Sequence, residues 1–596
     1  MWRFRSGGFG LRVLAVLACA AGCAAVDAAT ITVNSTGDAV ANDGFCTLRE
    51  AIKAAESNTA SGAATGECAA GSPAPTIDTI AFAIPDGDLN CTGTPKICTI
   101  KPLSTLDTID QPVLIDGYTQ PNSHPNTLTV GDDAVILIEL DGSNLNPMLN
   151  LAYPATSIGA TIRGLAFTHV TNSAAIHATH FDHLSITGNF IGTDVTGSSL
   201  SASTSYGIYI NVGDADVIGG ALPADRNIIA GNQTAIFLEG SSDSARVTNC
   251  VVQGNYVGLD KTGTVGLATV NGIQLRATTD CQIGGSAAGA GNVLGDVTQG
   301  ISVDAELLNG GCNGTTIQGN LVGTDVTGTV ALGQTYGIVI GLSDSTVVGG
   351  TGAGEGNLIS GNAGDGIVVG NTPTNISILG NKIGTDITGK GPLGNGACGI
   401  DVGGSDTTAT VGGTTMSAAN VIAFNGTNGI RIASLDSVAR WTVEGNSIHD
   451  NGSLGIVLNG ACDNLLSTPT GNDTNDTDAG PNGLQNYPEI TSVAIGPRTN
   501  AHVAGTLNSK ANTTFRVEYF ANAYCDAKGH GEGGTFLGSA DVTTIGNNAT
   551  IAPFDIAVPA CRHVITSTAT DPAGNTSEFS DCSGQDTVFS ECFDGN

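Results

Sequence analysis

Gly319-Asn320-Leu321-Val322-Gly323-Thr324-Asp325-Val326-Thr327-Gly328 is one of four copies of a ten-residue phrase. The others begin at Gly188, Gly254 and Gly380, and a fifth keeps only Gly445-Asn446. Their asparagines, Asn189, Asn255, Asn320, Asn381 and Asn446, stand 66, 65, 61 and 65 residues apart. Self-similarity at a fixed long period belongs to chains that stack one supersecondary unit on the next.

Shorter phrases subdivide the period. Gly-Ile pairs occur at Gly207, Gly272, Gly337 and Gly399, and a second set at Gly300, Gly366 and Gly429 falls between them. Asn followed by an aliphatic residue recurs at Asn227, Asn292, Asn357 and Asn420. Taken with Asn211 and Asn232, this punctuation predicts three turns of roughly 21–23 residues per repeat, the size of a coil in a parallel β-solenoid. The apolar runs are short and β-branched, with Gly, Asn, Asp and Ser between them, as strands separated by sharp corners require. Gly and Asn tolerate the positive φ of such corners. Stacking would bring equivalent Asn amides ~4.8 Å apart, close enough to hydrogen-bond in a ladder. The expected fold is all-β: a right-handed parallel β-helix over residues 101–486, of roughly 18 coils and about 85 Å.

Both ends depart from the repeat. Arg3, Arg5 and Arg12 precede an apolar stretch, Val13 to Ala21, so residues 1–28 read as a signal peptide cut after Ala28. Lipidation at Cys23 is the rival reading, on the partial lipobox Ala20-Ala21-Gly22-Cys23. Export would favour disulfides, and sequence proximity suggests Cys46 with Cys68 and Cys91 with Cys98. Residues 29–100 read as an N-terminal cap with the first coils. Within it Thr47 to Glu50 forms a capping box before a short helix that presents Leu48, Ile52 and Ala55 on one face. Near Asp473 a polar, hinge-like segment leads into residues 487–582, where Phe515–Phe520 and Val564–Thr570 alternate at period two, as in an antiparallel sandwich. Residues 583–596 form a tail.

Cys46-Thr47-Leu48-Arg49-Glu50-Ala51-Ile52 resembles the signature of CSLREA-domain proteins, with Thr in place of the usual Ser. Together with Ile115-Asp116-Gly117-Tyr118-Thr119-Gln120-Pro121 and the four repeats, it resembles bacterial right-handed parallel β-helix proteins of the pectin-lyase-like superfold. That resemblance implies export and the β-helix fold, and no particular activity. Thr570 to Ser577 resembles the last-strand turn of bacterial Ig-like modules, and Asp586-Thr587-Val588-Phe589 a tail on some exported proteins.

A net charge of −33, with only 21 Lys and Arg, argues against nucleic acid or an anionic membrane as partner. No apolar run beyond the N-terminus is long enough to span a bilayer. Three constellations bear on chemistry. Asp194, Asp260, Asp325 and Asp386 recur with the repeat, which suits a turn former better than a catalytic acid. His169, His177, His180, Asp182 and His183 cluster, but the strand phase turns His177 and His183 outward, without convergence on a metal. Asp473, Asn475, Asp476 and Asp478 alternate oxygen-bearing side chains in a way that suits calcium, against an Asx-turn linker as the alternative. Lyase chemistry needs a base and a cation beside the substrate carboxylate, and Arg163, Arg226 and Arg246 are scattered and read as isolated surface charges. No catalytic residue is assigned. The sequence thus predicts an exported protein with a structural, adhesive or glycan-binding role at the cell surface. The alternative is a polysaccharide lyase or glycoside hydrolase.

Overall fold

The computed structural model describes residues 28–583, apart from 144, 146, 154–158, 202, 204, 305–309, 406, 434–438, 463–467, 496–499, 527 and 560–563. The expected signal peptide, Cys23 and most of the expected tail lie outside these residues. The chain is a right-handed parallel β-helix. Its wall consists of three long faces, parallel throughout except where Cys91–Thr92 pairs antiparallel with Ile97–Ile100 at the start of one of them. Face A has 13 strands, from Thr30–Val33 to Arg440–Glu444, and face B has 13, from Cys91–Thr92 to Ser447–His449. Face C has 11, from Leu149–Ala152 to Ile456–Leu458.

One coil is longer than the punctuation predicts. On face A the inward positions run Ile186, Ile218, Val252, Ile283, Ile317, Val348, Ile378, Val411 and Val443, at steps of 30 to 34 residues. Each ~65-residue repeat is therefore two coils, not three, and the first coils, expected within residues 29–100, start at Thr30. Thirteen strands at ~4.8 Å give roughly 60 Å, shorter than the expected length. The three-turn expectation fails because successive Gly-Ile pairs mark one face on successive coils. Their isoleucines, Ile208, Ile273, Ile301, Ile338, Ile367, Ile400 and Ile430, share one inward file with Ile176, Ile236 and Ile456. All ten are buried, and with the inward residues of the other two faces they form one continuous core.

Each position of the repeated phrase has a mechanical task. Its first Gly takes φ of 64° to 68° at Gly188, Gly254, Gly319 and Gly380. The Asn that follows turns inward at the corner between faces A and B. There the amides of Asn189, Asn227, Asn255, Asn292, Asn320, Asn357, Asn381, Asn420 and Asn446 form an unbroken ladder, each Nδ2 donating to the next Oδ1 at 2.9–3.2 Å. Ile191, Val257, Val322 and Ile383 fill the core at the fourth position. The Asp at the seventh accepts from the Thr two residues on and from loop backbone: Asp325 takes the Thr327 hydroxyl at 2.8 Å and the Val330 N–H at 3.2 Å. Successive Asp loops also touch. The N–H groups of Lys261, Val326 and Ile387 donate to the carbonyls of Gly197, Gly263 and Gly328, two coils earlier, at 2.8, 2.9 and 2.9 Å.

Both open ends are covered. At the start, helix α1 (Leu48–Ser57) has the expected capping box, and Leu48, Ala51, Ile52, Ala54 and Ala55 are buried against the first coil. Cys46–Cys68 and Cys91–Cys98 are disulfides, as expected. Cys250–Cys281 links adjacent coils, and Cys398–Cys462 and Cys525–Cys582 are also bonded. At the far end two three-stranded antiparallel sheets enclose a separate apolar core. Phe520 and Phe579 of this sandwich close the solenoid core.

The polar segment near Asp473 is no hinge. Asn482 is fully buried, its Oδ1 accepts from Trp441 N at 2.7 Å, and its Nδ2 donates to Trp441 O and Thr576 O at 2.8 and 2.9 Å. Three sandwich carboxylates cap donors of the last coil. Glu518 accepts from Gly445 N at 2.9 Å, Glu532 from Asn451 N at 3.0 Å, and Glu578 from Leu458 N at 2.6 Å. Unpaired strand edges invite association, so these contacts give the sandwich the work of a lid.

Candidate functional site

Face C carries a chemically varied outer surface over its earlier coils. Parallel register aligns Asn150, His177, Tyr209, Phe237, Gln274 and Ser302 in one outward file, and Thr179, Asn211, Glu239 and Arg276 beside it. The same first file continues as Val339, Val368, Asp401, Arg431 and Val457, so its aromatic stretch is confined to the earlier coils. Three of the chain's 9 tyrosines, Tyr153, Tyr206 and Tyr209, lie here.

The rings support one another. His177 stacks on Tyr209 at 5.0 Å, Tyr209 on Phe237 at 5.1 Å, and Tyr206 on Phe237 at 5.4 Å. Tyr153, 66% exposed, stacks on His180 at 5.0 Å. Phe237 is buried beneath its neighbours, with the Arg276 guanidinium 5.2 Å above its ring. The Tyr209 hydroxyl donates to Glu239 at 2.6 Å, and Arg276 lies 3.8 Å from the same carboxylate. Burial, then the Glu239 bond, pushes the Tyr209 phenol well above its ordinary range. Burial lowers the His177 pKa, so this ring is neutral at pH 7. The result is a rigid strip of ring edges, amides and hydroxyls whose charges are paired, a surface suited to polyhydroxylated ligands.

The repeat aspartates are the loop acceptors described above. The histidines do not converge: among the described residues no metal-binding grouping includes them. His177 and His180 instead join the aromatic stacks, a role hidden in the sequence because their partners lie one coil away. Nor are the three arginines isolated surface charges. Arg163 pairs with Asp116 at 2.7 Å, and Arg246 with Asp243 at 2.7 Å. Arg226 is buried over the Tyr256 ring and donates to the carbonyls of Leu128, Thr129 and Gly131, which straps a loop onto face B.

Asp473, Asp476 and Asp478 do come together, with carboxylate oxygens within 4.8 Å of one another. Burial raises the pKa values of Asp476 and Asp478, and for Asp478 the neighbouring carboxylates Asp473 and Asp476 add to it. Asp473 accepts from the Thr477 hydroxyl at 2.8 Å, and Asp476 from Asn486 N at 3.0 Å and Ser509 Oγ at 2.7 Å. Asn475 sits at φ 68°, its N–H donating to Asn508 Oδ1 at 2.6 Å. The cluster is thus a structural knot, and its all-oxygen donor set also fits a hard cation such as calcium.

No family model and no curated protein matches this chain. Among solved structures it is similar to a periplasmic alginate epimerase, with 14% identity and a TM-score of 0.26 over 59% of this chain and 65% of that one, less than two thirds of its length. It is also similar to the Dettilon tailspike protein, with 11% identity and a TM-score of 0.25 over 80% and 88% of the two chains. For tailspike protein 3 of bacteriophage CBA120 the values are 14%, 0.24, 63% and 56%. Likeness this distant transfers neither a site residue nor an activity. Among the described residues no helix is long and apolar enough to cross a membrane.

Proposed function

We propose that this is an exported bacterial cell-surface protein that binds a glycan along face C without cleaving it. The observation that carries the reading is the aromatic and polar strip from Tyr153 to Arg276, held rigid by stacking and confined to a few coils. Five disulfides among the described residues support export, because such bonds persist in oxidising compartments. The signal peptide and the CSLREA-like cap belong to the same reading. The acidic excess disfavours polyanions, nucleic acid included, so the ligand is a neutral glycan.

Uronate cleavage would need a free cation beside the substrate carboxylate. Arg276 on this strip is already beside Glu239 and over Phe237. Affinity electrophoresis through neutral and acidic polysaccharides, with assays for new reducing ends and unsaturated products, tests the reading. Retardation by a neutral polymer, reduced by Tyr153→Ala and His177→Ala and without products, is expected. Product formation that is lost in Glu239→Gln would replace it with a hydrolase or lyase. Calcium among Asp473, Asn475, Asp476 and Asp478 is a separate, structural part of the proposal.

A further inference from the structure

The outward file of face B forms the floor of a groove, from Phe190 through Tyr256, Leu321 and Lys382 to Ser447. The Asp loops wall it on the face C side, and the turns at 220–226, 285–291, 350–356 and 413–419 wall it on the face A side. Over the first coils the chain fills this groove itself. Asn126 Nδ2 donates to Pro223 O on one wall at 3.0 Å, and the Gly131 N–H donates to the Tyr256 hydroxyl on the floor at 3.1 Å. Arg226 holds three carbonyls of the same segment. Residues 126–131 form neither helix nor strand, so the groove accepts an irregular stretch of chain.

Farther along, two cavities open in the same groove. One, of about 660 Å³, lies over Leu321, Leu358 and Lys382, between Ile387 and the 350–356 turn. The next, of about 290 Å³, runs past Met416 and Ser447 to Phe536 of the sandwich. Ile387, Met416 and Phe536 are 39%, 93% and 36% exposed, and large apolar side chains grouped along an open groove mark a contact surface. Among the described residues that line the two cavities, Lys382 alone is charged, in a chain with 54 acidic and 21 basic residues. An acid-free groove with one ammonium suits an apolar segment that carries carboxylates.

We infer that this groove is the docking site of residues 584–596 of the same chain. The segment has the matching chemistry: Val588, Phe589 and Phe593 for the apolar walls, Asp586, Glu591 and Asp594 for Lys382, and no Lys, Arg or His. It also has the reach. Ser583, the last described residue, bridges to Ile565, and Ile565, Ala521 and Thr535 are neighbours across one sheet of the sandwich. Beside Thr535, Gly534 O accepts from Ser447 Oγ at 2.7 Å, which joins that sheet to the end of the groove. From Ser583 to Leu321 the path crosses three strand spacings of the sandwich and four of face B, roughly 34 Å. The 13 residues of 584–596, fully extended, span about 43 Å. Docked there, the segment would clasp the sandwich to the solenoid from outside, and this inference is independent of the glycan reading.

Hydrogen exchange and carbodiimide coupling of the full chain test it. The comparison is with the double variant Phe589→Ser, Phe593→Ser, which keeps every cysteine and is checked for native secondary structure. Backbone amides of 350–356 and 414–417 should exchange tenfold or more slowly in the native chain than in the double variant. Coupling, which joins an ammonium to a carboxylate in contact, should link Lys382 to Asp586, Glu591 or Asp594 within the monomer. Equal exchange in the two chains, or native coupling of Lys382 to none of these three, overturns the inference. Linkage found only in a dimer, or protection that grows with protein concentration, assigns the groove to a second copy and overturns it as well. Should the double variant not fold, Lys382→Glu decides by the same exchange comparison.

Discussion

Asn320 shows what one residue of the repeat carries. Its N–H and Nδ2 both donate to Asn357 Oδ1 at 3.0 Å, while its own Oδ1 accepts from both groups of Asn292, also at 3.0 Å. Its Nδ2 also reaches Ile283 O at 2.9 Å. Asn320→Ala removes the Oδ1 that both Asn292 groups use and leaves the Asn292 N–H buried without a mate, while Asn357 Oδ1 keeps the backbone N–H of residue 320 and Asn292 Nδ2 keeps Val252 O, so the change should cost about 1–3 kcal/mol in denaturant unfolding. Asp325→Asn is the contrast. An amide oxygen can still accept from Thr329 and Val330, so this change should cost less than about 1 kcal/mol and leave any glycan binding intact. Comparable losses from the two would refute the division between ladder residue and turn residue.

Legibility differs with the reach of the contact. The capping box of α1 was readable because Thr47 and Glu50 sit three apart in one turn. The Asn ladder was readable because four of its members recur in one phrase. Coil length was not, because a coil with an Asp loop and one without alternate, and Asn211 and Asn232 mimic ladder members without joining it. The Tyr209–Glu239 pair and the stacks on His177 and His180 join residues on different strands or coils, where no local spacing points to them. The lid role of the sandwich was hidden for the same reason: Glu532 is 81 residues from Asn451, and Glu578 is 120 from Leu458. These two glutamates carry a pH dependence. Burial pushes both from the ordinary 4.5 up to about 7. The native state therefore holds more protons than the unfolded chain between those values, and stability falls as pH rises from 4.5 through 7. Melting of the sandwich should drop by roughly 5 °C or more from about pH 5 to about pH 8, and Glu532→Gln with Glu578→Gln should flatten the trend. A native profile as flat as that double variant's would contradict the assignment. Calcium should raise the melting temperature in the native chain and not in Asp476→Ala, Asp478→Ala, if an ion joins that cluster.

The molecule is a solenoid of about 60 Å with both ends covered and one face decorated. Closure is what keeps so regular a stack of strands from adding another copy of itself. Removing residues 29–60, with Cys68→Ser to eliminate the thiol this leaves, should convert monomer into larger species in sedimentation velocity. A truncated chain that stays monomeric and equally stable would deny α1 its role as a lid. The decorated face carries the functional claim. It is tested most directly by a crystal structure of the full chain with whichever neutral hexasaccharide binds. The account predicts an intact sugar chain lying along face C, against Tyr153, His177 and Tyr209. A ligand seated on face A or B, or one cleaved beside Glu239, would contradict it.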